Sequence, residues 1–444
     1  MVLNELIFIF VFFPLAFIVD RLLPKISLKN AWLFLVSLIF YSWGHWKFSI
    51  LLLLVVVWNY LSALQLDQIE DLKKRKLSFI LSVVVNVLIL SFYKCMHTAM
   101  SDFVFPIGLS FYLFSSISYL ADVYMHKSKA NSNLIQVGLY IGFFGKLLMG
   151  PIEQYHSMED QLTHRKVDFS GILLFIRGLV KKVLFADQFM LIYTSLVDNH
   201  TFLGTWLMIL SFSLQLYFDF SGYSDMAIGI SKLFGFRFQQ NFNHPYVAKS
   251  AQDFWRRWHI SLSMWFKEYV YIPLGGNRGS NSMFVRNIFV VWLLTGVWHG
   301  LSSSYIAWGM YYALILLLEK VYIRKFLSNY SSWISYMYTF FVVVIGWTFF
   351  SSSNVFEGIQ TIGRLFSIGT VSMSDALSRF MLWSHVLLWI LGCVTCLPIV
   401  NPIQNVLYKK GHKALIVVAY AIAFVICIAF IVGSSYSAFL YAAF

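Results

Sequence analysis

Hydrophobic positions along this chain fall in blocks. Thirteen apolar runs, the first near residues 4–19 and the last near 414–432, alternate with short polar or basic links. A helix needs roughly 17–25 apolar residues to cross bilayer hydrocarbon. Runs such as 48–66, 78–95 and 379–400 reach that length, whereas 284–298 and 336–350 stop short. The short or interrupted runs read as re-entrant or tilted pieces. The pattern predicts an all-α, polytopic transmembrane helix bundle with roughly 10–13 crossings. It leaves room for one membrane domain over residues 1–444 and for no separate soluble domain.

Composition agrees. The chain is 59% hydrophobic and only 12% charged, against roughly 45–50% and 25% in soluble domains. A single soluble core cannot hide that much apolar surface, so lipid must cover the excess. The net charge of +13 would suggest nucleic acid on a soluble protein. Here the cations cluster between apolar runs, as the positive-inside rule produces, and suit anionic lipid headgroups. Membrane lipids are therefore expected partners and nucleic acid is not. Arg21, Lys25 and Lys29, the KKRK of 73–76, Lys320 with Arg324 and Lys325, and Lys409, Lys410 and Lys413 mark the cytoplasmic links. The first run lacks a basic flank before it and a small-residue cleavage site, so it reads as a retained span that starts outside. The tail GSSYSAFLYAAF is then expected outside or in the outer interface. Cys393 and Cys396 form a CxxC inside an apolar run with no partner pair, which reads as helix packing rather than a metal or redox site.

One segment, 217–286, breaks the pattern. It opens with YFDFSGYSDMAIGISKLFGFRF, where Asp219, Ser221 and Asp225 surround Gly222. QQNFNHPY follows, with Pro245 and two asparagines as helix-ending residues. FWRRWHISLSMWFKEYVY then reads as one helix. Phe254, Trp258, Ser261 and Trp265 would share a face, and Trp255, His259, Leu262 and Phe266 the neighbouring one. IPLGGNRG closes it as a turn. This basic, aromatic block is expected at or below the cytoplasmic face, with room to dip into the protein.

Two histidines stand out from the eleven. His45, His97, His126, His156, His164, His200 and His412 lie at run ends or in links, His244 adjoins a proline, and His385 reads as a packing residue. His299, in TGVWHG, lies within an apolar run beside Gly296 and Gly300. A polar group at membrane depth is costly and faces a cavity or partner, and imidazole is the side chain suited to take a proton near neutral pH. His259 follows Arg256 and Arg257, which could hold phosphates or rest on lipid headgroups with Trp255 and Trp258 in the aromatic belt. No HExxH, paired CxxC, GxSxG or P-loop occurs, so a zinc site, a serine hydrolase and a nucleotide-driven pump have no support.

The order of these pieces resembles the membrane-bound O-acyltransferase (MBOAT) superfamily, in its bacterial alginate O-acetyltransferase (AlgI-like) branch. The stretches that carry it are YFDFSGYSDMAIGISKLFGFRFQQNFNHPY, FWRRWHISLSMWFKEYVYIPLGGNRGS and RNIFVVWLLTGVWHG, with PIGLSFYLFSSISYLADVY, GPIEQY, GLVKKVLFADQF and GWTFF elsewhere. The resemblance implies helices ringed around a thinned centre with a tunnel, supported by re-entrant and cytoplasmic interfacial helices, and a core catalytic segment of about 202–320. It implies that His299 is the catalytic base, that His259 matches a second functional histidine, and that Arg256 and Arg257 meet donor phosphates. Trp255, Trp298, Asp219, Ser221 and Asp225 would line the substrate chamber. Lys181, Lys182 and Asp187 match a family stretch and read equally as interface charge. The donor would be a cytoplasmic thioester, acetyl-CoA or an acyl carrier protein, with no tightly bound cofactor and no metal. The acceptor would be a hydroxyl of a cell-surface polysaccharide, alginate-like or peptidoglycan, reached through an extracytoplasmic SGNH-type partner because no such domain is attached. The setting would be the bacterial inner membrane. D-alanyl transfer to teichoic acid is the sister reading, and a polysaccharide transporter is the reading from another class. The ending SSYSAFLYAAF departs from the branch's YNPFIYF-like ending.

Overall fold

The computed structural model describes residues 1–100, 102–327, 329–399, 402, 406, 407, 409 and 411–433. Lys410 and most of the C-terminal tail, both read above from the sequence, lie outside them. Every regular element among the described residues is helical. Six helices are long and apolar enough to cross a membrane: Trp46–Gln68, Leu72–Ala99, Phe202–Leu233, Ser303–Ile323, Ser332–Ser351 and Lys413–Gly433. A seventh candidate is Ala376–Ser384 with Val386–Cys396, bent by 59° at His385.

The expected 10–13 crossings therefore reduce to six or seven such helices among the described residues. The physical reasons differ from run to run. Leu134–Gly142 is only 9 residues long and leaves helical geometry at Phe143, whose ψ is 121°. The run near 171–194 stays helical from Ser170 to Leu196 through a π-helical stretch, Lys181–Ala186, but carries Arg177, Lys181, Lys182 and Asp187. Asn281–His299 has 19 residues but includes Arg286 and Asn287.

Contacts divide the chain into two compact units. The first comprises, among the described residues, 1–179, 223–240 and 431–433. Its central helix, Leu109–Tyr124, is buried along most of its length. Ser115, Ser116 and Ser118 each donate to the carbonyl four residues earlier, at 2.9–3.1 Å, so their hydroxyls need no water. Asn59 and Asn86 exchange amide hydrogen bonds of 3.0 and 2.9 Å between the helices Trp46–Gln68 and Leu72–Ala99. Lys73–Lys76, read above as a link, forms the first turn of Leu72–Ala99, and the Asp71 side chain caps that turn by accepting from the Lys74 N–H at 2.7 Å.

The second unit comprises residues 180–222 and 241–430. The helix Phe202–Leu233 runs unbroken through the YFDFSGYSD stretch and contributes residues to both units. Within the second unit, Asn281–His299 and Ser303–Leu318 form a tight antiparallel hairpin. Small residues allow the close approach: a Cβ on Gly309 would sit 2.4 Å from the Trp292 carbonyl oxygen, and one on Gly296 would sit 2.6 Å from that of Tyr305. Cys393 and Cys396 are unpaired thiols in the wall of a half-open apolar cavity of about 250 Å³, beside Tyr246, Phe254 and Val343. That placement fits the packing reading of the CxxC.

The helix expected over FWRRWHISLSMWF is two helices. Ala251–Arg257 ends at Trp258, and Ile260–Phe266 starts after His259. His259 has φ 44° and ψ 54°, a left-handed conformation that costs a non-glycine residue roughly 1–2 kcal/mol. The two faces projected on a continuous helix therefore do not exist. Tertiary hydrogen bonds to an extended segment override the local helical preference. The Asn243 N–H donates to the Arg257 carbonyl at 2.9 Å, and the Ile260 N–H donates to the Asn241 carbonyl at 3.0 Å. The break is thus satisfied in a buried place where water is not needed. The expected turn at IPLGGNRG is present, with positive φ at Gly275 and Gly276.

Candidate active site

Both singled-out histidines lie in the second unit and both are buried, His259 at 3% and His299 at 5% exposure. His299 is the last residue of its helix. Its ring meets Trp308 edge-on at 5.1 Å, Phe350 at 4.9 Å and Trp298 at 4.5 Å. His259 meets Phe220 edge-on at 4.6 Å and Trp298 at 6.3 Å. One indole, Trp298, therefore bridges two imidazoles that are forty positions apart in sequence. Aromatic walls of this kind keep the local dielectric low, which strengthens any polar interaction formed inside them.

The remaining expected residues divide. Trp255 joins the same aromatic body: it packs on Trp292 at 4.9 Å, Tyr312 at 4.8 Å and Trp308 at 5.6 Å, and Trp308 in turn contacts His299. Arg256 is exposed, with no hydrogen bond or ion pair among the described residues. Arg257 is occupied, donating to Asp253 at 3.1 Å and to the Asn243 carbonyl at 3.3 Å. The tandem arginines are thus one engaged group and one open group. Ser221 is buried and its hydroxyl has no partner among the described residues.

Asp219 is buried and bound by Lys182 at 2.8 Å, while Asp187 holds the same ammonium at 2.9 Å. Burial pulls the Lys182 ammonium down, but Asp219 and Asp187 together hold it above its ordinary value. Asp225 belongs to the first unit, where it pairs with Arg177 at 3.2 Å. Among the described residues no group of three or more His, Cys, Asp or Glu side chains is arranged to hold a metal ion.

Sequence reasoning missed four parts of this site. Trp308, Phe350 and Phe220 line the histidines, and Asn241 hydrogen-bonds His259. Nothing in the local sequence distinguishes these aromatics from the 44 phenylalanines and 15 tryptophans of the chain. Asn241 carried only the signal of a helix-ending asparagine.

The family model described as MBOAT, membrane-bound O-acyltransferase family, matches residues 34–358, and both histidines fall inside that match. The chain belongs to this family. It is 37% identical over 402 residues to the probable alginate O-acetylase AlgI of Pseudomonas syringae pv. tomato, covering 84% of this chain and 77% of that protein. It is 33% identical over 426 residues to the peptidoglycan O-acetyltransferase of Helicobacter pylori, covering 83% and 80%. A shorter match, 30% over 227 residues, links it to the teichoic acid D-alanyltransferase of Bacillus subtilis, covering 47% and 58%. Within the MBOAT family the chain falls in the AlgI-like branch. It is a multi-pass membrane protein, and its buried histidine pair belongs to a scaffold shared by acyl-transferring enzymes.

Proposed function

We propose that this MBOAT-family protein is an O-acyltransferase of the bacterial inner membrane that moves an acetyl group from a cytoplasmic thioester, such as acetyl-CoA, toward hydroxyls of a cell-surface polysaccharide. The observation that carries the reading is the pair of buried imidazoles joined through Trp298. A thioester and a hydroxyl must meet away from water, or hydrolysis competes with transfer. His299 takes the proton of the attacking hydroxyl as its oxygen bonds to the thioester carbonyl carbon. The C–S bond then breaks, and the proton passes from His299 to the departing thiolate. General-base help of this kind is worth roughly 10²–10⁴-fold, and holding the reactants in line contributes as much again.

His259 orients the donor. Arg256, the open arginine, meets donor phosphates at the cytoplasmic side. The two reactants reach the histidines through a central tunnel, in a single functional domain whose catalytic segment is about 202–320. The attacking hydroxyl belongs to an SGNH-type transferase on the outer side. The acetyl ester so formed is broken by attack of a hydroxyl of an alginate-like polysaccharide or of peptidoglycan, which takes the acetyl and returns the transferase hydroxyl. The long matches to O-acetyl-transferring relatives favour acetyl over D-alanyl from a carrier protein, since the D-alanyl relative matches less than half of the chain.

The test is the O-acetyl content of surface polysaccharide from a deletion strain complemented with wild type or His299→Ala, with membrane levels of each checked. The expected result is loss of O-acetyl on deletion, restoration by wild type, and none by a well-expressed His299→Ala. Unchanged O-acetyl with lost ester-linked D-alanine would point to the sister reaction. Full complementation by His299→Ala would falsify the proposed base and favour a transporter.

A further inference from the structure

Asn241 is 1% exposed and belongs to the same unit as His259. Its side-chain oxygen accepts three hydrogen bonds: from the Ser261 backbone N–H at 3.1 Å, from the Ser261 hydroxyl at 3.0 Å, and from His259 Nδ1 at 3.2 Å. The orientation of an asparagine amide is ordinarily an assignment. Here it is fixed, because a backbone N–H can only donate, so the atom facing it must be the oxygen. An amide oxygen can only accept, so His259 Nδ1 must carry a hydrogen. A neutral imidazole has one N–H, which leaves Nε2 with its lone pair. His259 lies outside the candidate spans, and burial pushes its imidazolium form down to about 3, so the ring is neutral across the physiological range. Nε2 is buried and has no hydrogen-bond partner among the described residues.

We propose that Asn241 is a positioning residue that locks His259 in the Nδ1–H tautomer, so that His259 Nε2 accepts a hydrogen bond from an N–H or O–H of the bound substrate. This rests on the acyltransferase reading and sharpens it. A neutral acceptor cannot stabilise a developing oxyanion, so His259 holds a donor-bearing group of the substrate, an amide N–H or a hydroxyl, and leaves charge stabilisation to other groups. The left-handed backbone at His259 has the same origin. Through Ile260 and Ser261, Asn241 binds the chain immediately after the break by both its backbone and its side chain.

The discriminating variant is Asn241→Asp. Its carboxylate still accepts from the Ser261 N–H and from Nδ1–H, so the turn is kept. Its charge, however, favours the imidazolium and converts Nε2 into a donor. Asn241→Leu removes the acceptor altogether. Membranes carrying the enzyme with its outer partner and acceptor polysaccharide are assayed for acetyl-CoA consumption by thiol release across pH 5–9, and melting temperatures of the detergent-purified variants are measured alongside. Histidine-15N spectra, with His259 assigned by comparison with His259→Gln, report the tautomer independently of activity. Wild type should show a hydrogen-free Nε2 over this range. Asn241→Asp should melt near wild type, show a protonated Nε2 and lose turnover by ten- to a thousandfold, with its remaining activity displaced to higher pH. The loss expected is that of a substrate hydrogen bond replaced by a like pairing of two donors at Nε2, a buried polar group left unsatisfied.

A hydrogen-bearing Nε2 in wild type overturns the tautomer. Full activity with an unchanged pH profile in an Asn241→Asp protein whose Nε2 is protonated overturns the acceptor role. An enzyme inactive on every thioester, yet showing the expected tautomer, would count against the acyltransferase reading and leave the Asn241 assignment standing.

Discussion

Lys182 offers the sharpest test of how this fold uses charge. Its ammonium sits at 1% side-chain exposure between Asp219, itself 2% exposed, and Asp187, 22% exposed. Lys182→Met keeps the length of the side chain and removes only the charge. Asp219 would then lose the ammonium that binds it at 2.8 Å inside the protein, and breaking a buried pair by removing one partner costs about 3–5 kcal/mol. Asp187 can turn toward water, so its own lost pairing adds only about 0–1 kcal/mol. For a cooperative unit of roughly 150–250 residues, such a loss lowers the melting midpoint by on the order of 5–15 °C. Asp187→Asn should cost far less than Asp219→Asn, and the double variant Lys182→Met/Asp219→Leu should recover most of the loss, because both buried charges are gone. Size-exclusion profiles of detergent-solubilised protein after stepwise heating provide the midpoints. A Lys182→Met midpoint within about 2 °C of wild type, or a double variant whose loss equals the sum of the singles, would refute the buried clamp. If Asp219 instead serves the substrate chamber, Asp219→Asn will abolish transfer while melting normally.

Acid should weaken the protein through His259. Its ordinary value of 6.5 is pushed down to about 3 by burial, so between these values the unfolded chain binds a proton that the folded chain refuses. Stability therefore falls as pH drops below 6.5, by about 2 kcal/mol at pH 5, and melting midpoints of His259→Gln should show a shallower acid decline than those of wild type. Gly309→Ala should destabilise the His299 hairpin by about 1–3 kcal/mol. The new methyl would meet the Trp292 backbone oxygen at 2.4 Å, and backbone cannot swing aside. Its melting midpoint and its transfer activity should decline together, whereas a substitution that touches only chemistry would leave melting unchanged.

Membrane character was legible because it is a sum over the whole chain: 59% hydrophobic residues leave no alternative to lipid burial. The number of spans was less legible. Runs such as 171–194 look continuous when scored by apolar residues, yet carry Arg177 and Lys182, whose partners Asp225 and Asp219 come from a distant helix. His299 was visible as a polar residue within an apolar run and His259 by its place beside Arg256 and Arg257, and the structure joins them through Trp298. The helix expected across His259 failed because no local signal marks a break there. No proline or glycine lies between Phe254 and Phe266. The break is imposed by Asn241 and Asn243, which are eighteen and sixteen positions upstream of His259 and hydrogen-bond across it. Periodicity reports what a segment would do alone, and this segment is shaped by a neighbour.

The left-handed backbone at position 259 complicates the standard way of asking what that side chain does. An alanine there loses the imidazole and retains the unfavourable φ of 44°, while the hydrogen bond to Asn241 that helped hold that conformation is gone. Any decline in His259→Ala therefore mixes chemistry with a misfolded turn. Glycine adopts positive φ without steric cost, so His259→Gly keeps the corner and leaves an imidazole-sized vacancy in an aromatic wall. Free imidazole or a methylimidazole supplied in solution can then be titrated into that vacancy, and the dose that restores turnover becomes a binding isotherm for the missing ring. The strained corner thus makes this position, unlike a histidine in mid-helix, a natural place to separate a residue's chemistry from its scaffold.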